Sequence, residues 1–414
     1  MKVLHVLYQS LPQVSGSSIR SRDTLMSQQN IGLDVVAITS DFQGSVDGGK
    51  EDVINGIRYI RTTSRKETVI TDDNKGVFVQ IKKLLSIISF TFKLYRCVKR
   101  EKPDVLHAHA MFYCGIPAIL VGKLKRIPVV YEFRSLWMFQ NKKTAKTKLN
   151  IFLENLLVSL ETFTLKRVDA AVFLNEDLRT YFVSKGNSFK NSYVINNAVN
   201  LAYIKQLTSQ KHQAEKREEL VFGYIGTLTA YEGIEFLVES FQELYDLGIK
   251  NKLIIYGDGI SREAVVAAIK NRPDIDTIQY RGRVSPNEVP KAFAEIDVII
   301  NPRLDNDVTQ SVTPLKPLEA MAYKKLFIGS DVGGITALVA HDKTGFIFQS
   351  EDKESLKNTI RKVLQLSDTE KSAIRNNALI FVQEEKSWKK NALIYKELYA
   401  SLLNRNTKIK SSEK

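Results

Sequence analysis

Short apolar runs alternate with longer amphipathic stretches from the first residues onward. KVLHVLY (2–8), LDVVAITS (33–40), PDVLHAHA (103–110), IPVVYEF (127–133), VDAAVFLN (168–175) and YVINNAV (193–199) are nearly continuous in apolar character. Such runs mark strands covered on both faces of a parallel sheet. Segments of helical length separate most of them, as parallel crossovers require. The pattern predicts a doubly wound α/β domain over residues 1–204. A polar stretch, KQLTSQKHQAEKREEL (205–220), breaks the series and reads as a hinge. A second series then begins: LVFGYIG (220–226), NKLIIYGDG (251–259), TIQYRGRV (277–284), IDVIINPR (296–303), KLFIGSDVGG (325–334) and TGFIFQ (344–349). It predicts a second Rossmann-like domain over 205–386, with the two halves facing each other across a cleft and ligands at the carboxyl ends of the strands. SWKKNALIYKELYASLL (387–403) repeats apolar positions every three and four residues. It predicts an amphipathic helix packing back on the first domain.

Length and composition agree with this division. A chain of 414 residues exceeds one ordinary core, and 43% hydrophobic with 26% charged residues indicates a globular protein. Cys97 and Cys114, the only cysteines, cannot build a disulfide framework and suit a reducing cytosol. The opening MKVLHVLYQS has too short an apolar run for a signal peptide and is expected to be a strand. No stretch of 18 apolar residues predicts a membrane span. The net charge of +14 implies anionic company. Nucleic acid is not the expected partner, because no helix-turn-helix, zinc-finger or RNP pattern is present. An anionic membrane surface or phosphorylated small molecules remain. QIKKLLSIISFTFKLYRCVKR (80–100) and KKTAKTKLNIFLENLL (142–157) mix lysine with large apolar residues, as helices lying on anionic lipid do. A domain helix with a basic outer face would look the same.

The most informative stretch is SVTPLKPLEAMAYKK (311–325). Pro314 and Pro317 fix where a short helix begins, since first-turn N–H groups lack intrahelical partners. A cation there, Lys316, opposes the helix dipole unless an anion sits between them. Glu319, one turn further in, is placed to accept hydrogen bonds from a diol such as ribose. Arg303 closes the strand of IDVIINPR and can grip phosphate in a planar, two-pronged way. A surface ion pair between Lys316 and Glu319, and a solvated loop position for Arg303, are the alternatives.

Several spaced motifs in order make the chain resemble the retaining, GT-B-fold glycosyltransferases of family 4 (glycosyl transferases group 1), in the subset carrying TPLKPLEAMA and YEG. They are SGSSIRSR (15–22), DVLHAHA (104–110), PVVYEFRSLW (128–137), LETFTLKRVDAAV (160–172), VINNAVN (194–200), GYIGTLTAYEGIEFL (223–237), YRGRV (280–284) and SDVGGI (330–335). The resemblance implies a nucleotide-diphosphate-sugar donor, UDP- or GDP-linked, in the second domain and a saccharide or lipid-linked acceptor in the first. It implies that Glu319 holds the ribose, that backbone near Arg283 and Val284 meets the base, and that Gly226 and Thr313 belong to the donor site. It also implies that the loop around Gly16, with Arg20, approaches the diphosphate and acceptor. Where the family carries an earlier glutamate against the transferred sugar, this chain has Gln310 and Ser311. Where many members carry an arginine and a lysine after the first strand of the second domain, it has Thr227 and Glu232; Arg303 and Lys316 take their place. The acceptor-side motif offers Arg134 and Glu132 as further catalytic residues, with His109 lining the cleft on the acceptor side.

A retaining transfer must stabilise a departing diphosphate, here by Arg303 and Lys316 as catalytic cations, with no metal or other cofactor. The DND of 305–307 is expected to be a turn rather than a metal motif. His107 and His109 share one strand face, with no further metal ligand apparent nearby. The expected activity is transfer of a sugar to a surface polysaccharide or lipid-linked oligosaccharide, on the inner face of a membrane. A nucleotide-sugar epimerase or hydrolase, or a non-catalytic sugar-nucleotide-binding subunit, are the alternatives.

Overall fold

A computed structural model describes residues 1–13, 15–63, 77–135, 148–189, 191–208, 219–285 and 288–412. They form two compact units, Met1–Asn196 with Trp388–Lys414, and Asn197–Ser387. The change of unit falls at Asn196/Asn197, eight positions before the 204/205 boundary that the pattern suggested. Most of the stretch read as a hinge, 209–218, lies outside the described residues.

In the first unit, β1 (Lys2–Leu7), α1 (Gly16–Asn30) and β2 (Asp34–Thr39) are followed by β3 (Glu51–Ile54) and β4 (Ile57–Ile60). Then come α2 (Val77–Glu101), β5 (Val105–His109), α3 (Phe112–Lys125), β6 (Val129–Phe133), α4 (Lys148–Arg167), β7 (Ala170–Phe173), α5 (Glu176–Val183) and β8 (Ser192–Val194). The sheet order is β3-β4-β2-β1-β5-β6-β7-β8, parallel except for β3. The β3–β4 hairpin was not read from the apolar runs, because its outer strand is only half buried. Its Asn55-Gly56 turn, both residues at positive φ, is nevertheless a recognisable hairpin signal.

Alternation on the central strands divides this sheet into two faces. Val3, Leu7, Val105 and Val130 pack with Leu25 of α1 and with Tyr395, Leu398 and Tyr399 of the last helix. α3 approaches the opposite face closely. A Cβ on Gly122 would lie 2.4 Å from the Val129 side chain, and one on Gly115 2.3 Å from Thr164 of α4. Along the first face the polarity changes toward the carboxyl ends. His5 pairs in register with His107, and His109 with Glu132.

The second unit runs α6 (Leu201–Thr208), β9 (Phe222–Ile225), α7 (Ile234–Asp246), β10 (Leu253–Tyr256), α8 (Arg262–Lys270), β11 (Ile278–Gly282), α9 (Val289–Ala294) and β12 (Val298–Asn301). It continues with α10 (Asp307–Ser311), α11 (Lys316–Ala322), β13 (Leu326–Ser330), α12 (Gly333–Thr336), β14 (Phe346–Phe348), α13 (Lys353–Gln365) and α14 (Asp368–Glu385). Its sheet, β11-β10-β9-β12-β13-β14, is wholly parallel. One core joins it to α7, α8 and α13, and the other to α9, α11, α12 and α14. α15 (Trp388–Ser412) returns to the first unit. Cys97 and Cys114 are free and buried. Among the described residues no helix is long and apolar enough to cross a membrane.

Candidate active site

In the second unit, three segments converge beyond the carboxyl ends of β9 and β12. A single turn of 3-10 helix, Ala230–Glu232, follows β9 and ends on Gly233 at φ +71°. A Cβ on Gly233 would lie 2.1 Å from the Pro302 carbonyl, so glycine permits the approach that buries Glu232. The Glu232 carboxylate receives Asn301 Nδ2 at 2.8 Å and Lys316 Nζ at 3.1 Å, with Arg303 Nε at 3.5 Å. Burial would raise the carboxyl pKa, but Lys316 and Arg303 together bring it below the ordinary value. Glu232, which sequence reasoning noted only as a departure, is thus the common partner of both expected catalytic cations. Its signal was a charge reversal: a glutamate where the family carries a lysine, with a lysine appearing at 316.

Arg303, expected to grip phosphate in the cleft, does not take the solvated loop position that was its alternative. It is 5% exposed, donates Nη1 to the Val312 carbonyl at 3.0 Å, and lies over the Tyr231 ring. A buried arginine in this setting orders the loop before α11. Lys316 retains 16% side-chain exposure. It reaches Glu232 by passing beneath Gly226, where a Cβ would stand 2.2 Å from its Cε. Polar capacity remains unused: Arg303 Nε, Thr313 Oγ1 and Asn301 Oδ1 are buried and have no hydrogen-bond partner among the described residues. Buried polar groups are usually hydrogen-bonded, so these atoms have capacity for water or a ligand.

A methyl group at 226 would displace the end of Lys316 and also press on the buried Tyr224 hydroxyl, 2.9 Å from that Cβ position. Gly226→Ala is therefore expected to lower the melting temperature and to weaken nucleotide-diphosphate binding roughly 10-fold, through loss of a charged contact. Calorimetric titration with UDP and GDP measures it.

Other expected donor residues lie around this group. Glu319 is half-buried on α11, and Pro317 occupies its first turn. The Thr313 carbonyl accepts Asn197 Nδ2 at 2.6 Å. Gln310 donates to Asp305 at 2.7 Å and accepts the Gly333 N–H at 2.7 Å, bridging two loops. Arg283, exposed, and Val284, half-buried, follow edge strand β11. The DND turn is a cap: Asn306 accepts the N–H groups of Val308 and Thr309 at the start of α10.

In the first unit, Glu132 is fully buried between two guanidiniums. Its Oε1 accepts Arg20 Nε at 3.0 Å and Arg134 Nε at 2.7 Å, and its Oε2 accepts the Tyr395 hydroxyl. Desolvation opposes ionisation here, yet Arg20, Arg134 and His109 hold the carboxyl well below the usual range. Arg20, expected to approach the acceptor, is instead 2% exposed. Its Nη1 and Nη2 donate to the Asn196 and Ile195 carbonyls, and it stacks on Trp388. Arg134 Nη1 binds the Ser17 carbonyl and hydroxyl and the Ser21 hydroxyl at 2.9–3.0 Å, and its Nη2 binds His109 Nδ1 at 2.6 Å. Arg134, His109, Ser17, Ser21 and Tyr8 line a cavity of about 80 Å3. Gly16 is the exposed first residue of α1.

The expectation that His107 and His109 have no further ligand nearby is corrected by His5. One nitrogen from each ring lies within 4.8 Å of the others. That spacing would admit a metal ion, but His5 Nδ1 and His109 Nε2 already share a 2.7 Å hydrogen bond. Two adjacent guanidiniums further disfavour a divalent cation. The strand-end histidine of MKVLHVL was the available signal.

Two doubly wound units in one chain, the second with cations at its strand ends, define the GT-B class of architecture. Solved structures agree. Sucrose-phosphate synthase from Thermosynechococcus elongatus superposes with a TM-score of 0.75 at 16% identity, over 98% of this chain and 100% of that one. Anabaena HepE in complex with UDP and glucose gives 0.65 at 14%, over 97% and 100%.

Residues 205–379 match the family of glycosyl transferases group 1, and residues 32–203 match glycosyltransferase family 4. The two matches run through both units, and the chain belongs to this family. An uncharacterized glycosyltransferase of Methanocaldococcus jannaschii is 22% identical over 63% of this chain and 64% of its own length. The alpha-monoglucosyldiacylglycerol synthase of Acholeplasma laidlawii is 24% identical over 66% and 70%. A glycogen synthase of Francisella tularensis subsp. novicida is 27% identical over 47% of this chain, which spans 40% of that enzyme.

Proposed function

We propose that the chain transfers a sugar from a nucleotide-diphosphate donor to a surface-polysaccharide or lipid-linked oligosaccharide acceptor, with retention and without a metal ion. The observation that carries this reading is the Glu232-held pair of Arg303 and Lys316 at the strand ends of the second unit. Two cations against one carboxylate leave one positive charge for a leaving diphosphate. The Thr313 hydroxyl, which makes no hydrogen bond among the described residues, supplies a donor beside it. Glu319 would take the ribose hydroxyls, Gly226 would keep Lys316 in reach, and the backbone at Arg283 and Val284 would meet the base. The cavity floored by His109 and Arg134 would receive the acceptor side of the reaction. A structure described as holding UDP and glucose, and a relative named for a glucosylated diacylglycerol, support a nucleotide-sugar donor and a sugar or lipid acceptor.

Membrane contact belongs to the same proposal. α2 packs on α3 and α3 on α4. Their outer positions Ile88, Phe92, Leu120, Leu124, Phe152 and Phe163 are exposed, with Arg96 over Phe92 and Arg167 over Phe163. Apolar anchors interleaved with arginine and lysine suit an anionic lipid surface. Part of the second basic stretch, 142–147, lies outside the described residues.

The test is incubation of the purified protein with labelled UDP- and GDP-sugars and a membrane fraction. Label entering lipid or polysaccharide supports transfer; isomerised donor or free sugar as the main product overturns it. Liposome flotation is expected to show binding to anionic but not neutral vesicles at low salt, and no flotation removes the membrane surface as a partner.

A further inference from the structure

Behind the His109–Arg134 cavity runs a chain of hydrogen bonds through the core of the first unit. Arg134 Nη2 meets His109 Nδ1 at 2.6 Å, and His109 Nε2 meets His5 Nδ1 at 2.7 Å. His5 Nε2 meets Gln28 Oε1 at 3.0 Å, Gln28 Nε2 meets the Tyr399 hydroxyl at 3.0 Å, and that hydroxyl meets His107 Nδ1 at 2.7 Å. His107 Nε2 has no hydrogen-bond partner and stands 3.9 Å from Glu132 Oε2. All three histidines, Gln28 and Tyr399 are essentially inaccessible to solvent.

The Arg134 end of this chain sets its direction. Arginine has donors and no acceptor, so His109 Nδ1 must present a lone pair to Arg134. A neutral His109 then carries its proton on Nε2 and donates to His5, whose proton is displaced to its own Nε2, facing the Gln28 oxygen. The Gln28 amide donates to Tyr399, which donates to His107 Nδ1. That leaves the His107 proton on Nε2. Glu132 is beyond hydrogen-bond reach of both rings, 3.9 Å from His107 Nε2 and 3.7 Å from His109 Nδ1, so it does not choose between them. The Arg134 contact at 2.6 Å, from a group that can only donate, fixes the arrangement.

We propose that Gln28 and Tyr399 are positioning residues, which lock His5, His107 and His109 as neutral Nε2–H tautomers and thereby hold His109 and Arg134 in place at the cavity. Arg134 in turn fixes Ser17 and Ser21 of α1. Protonating any one ring removes an acceptor its neighbour needs, so the chain holds or fails as a unit. Burial, followed by repulsion from neighbouring rings and Arg134, lowers the pKa of all three rings, in keeping with neutral imidazoles. The groups facing them are Arg20, Glu132, Arg134, Gln28, Tyr395 and Tyr399. The consequence for turnover rests on the transferase reading; the tautomer assignment does not.

Long-range 1H–15N correlation spectra of the full chain with 15N-labelled histidine, near pH 7.5, read the tautomer of each ring directly. Of five histidines, His212 and His341 are identified by His212→Gln and His341→Gln. The remaining three are expected to show the Nε2–H pattern. A proton on Nδ1, or an imidazolium, in any of the three overturns the arrangement. Tyr399→Phe keeps the ring and removes the hydroxyl. It is expected to change the His107 pattern and, in the transfer assay, to lower kcat roughly 10-fold with KM little changed. Wild-type spectra and turnover in Tyr399→Phe would overturn the positioning role. If that variant does not fold, the wild-type spectrum decides. Absence of transfer by the wild-type protein would count against the transferase reading and leave the tautomer result standing.

Discussion

Lys316→Ala is expected to lower turnover at least ~100-fold while leaving the fold intact, the effect of removing one preorganised donor from a developing anion. The structure explains why this lysine, rather than Arg303, gives the cleaner test. Lys316 is partly exposed, and its loss leaves Glu232 paired with Asn301 and Arg303. Arg303 is buried, and its side chain braces the Val312 carbonyl and pairs with Glu232. Arg303→Ala is therefore expected to reduce both turnover and stability, and Lys316→Ala turnover alone. Steady-state kinetics with the active donor, alongside urea unfolding, separate the two. Near-normal turnover in Lys316→Ala would sink its assignment to the leaving group.

The second large effect concerns stability. Glu132→Gln would strand Arg20 and Arg134 in the core without their carboxylate, and about 3–5 kcal/mol of unfolding free energy should be lost. A drop under ~1 kcal/mol in urea titrations would show that the guanidiniums find other partners. The wild-type protein should show a related sensitivity to acid. His109 is held down from 6.5 to about 4, chiefly by burial and then by Arg134. The unfolded chain therefore binds the proton first. Stability from this ring is fully present above pH 6.5 and is lost as pH falls toward 4, by about 3 kcal/mol in all. His5 and His107, also lowered by burial, act in the same direction. The urea midpoint should fall steadily between pH 6.5 and 5, before most carboxylates titrate.

Much of the fold was legible because parallel strands buried on both faces leave apolar runs that few other structures produce. The ordered motifs, from DVLHAHA to TPLKPLEAMA, carried the family. Less legible was anything depending on pairings distant along the chain. Glu132 could be read as an acidic group beside an arginine, but not as a carboxylate clamped by Arg20, 112 positions earlier, and capped by Tyr395, 263 positions later. His5 sits in an apolar run that predicts only a strand; parallel pairing with β5 turns it into a neighbour of His107. Arg303 could be read as a cation at a strand end, but not as the partner of a glutamate arriving from another loop. Charges that lie on one strand were visible, whereas charges that meet across loops needed the fold.

The return of α15 to the first unit bears on how the polypeptide is made. Tyr395 and Tyr399, which close the polar interior around Glu132 and His107, leave the ribosome only after the whole of the intervening unit. That unit has all of its strands before they appear. The opening sheet must therefore wait with a row of histidines and a carboxylate uncovered until α15 emerges. A message truncated near residue 386 would yield a product whose later half is complete and whose earlier half is not.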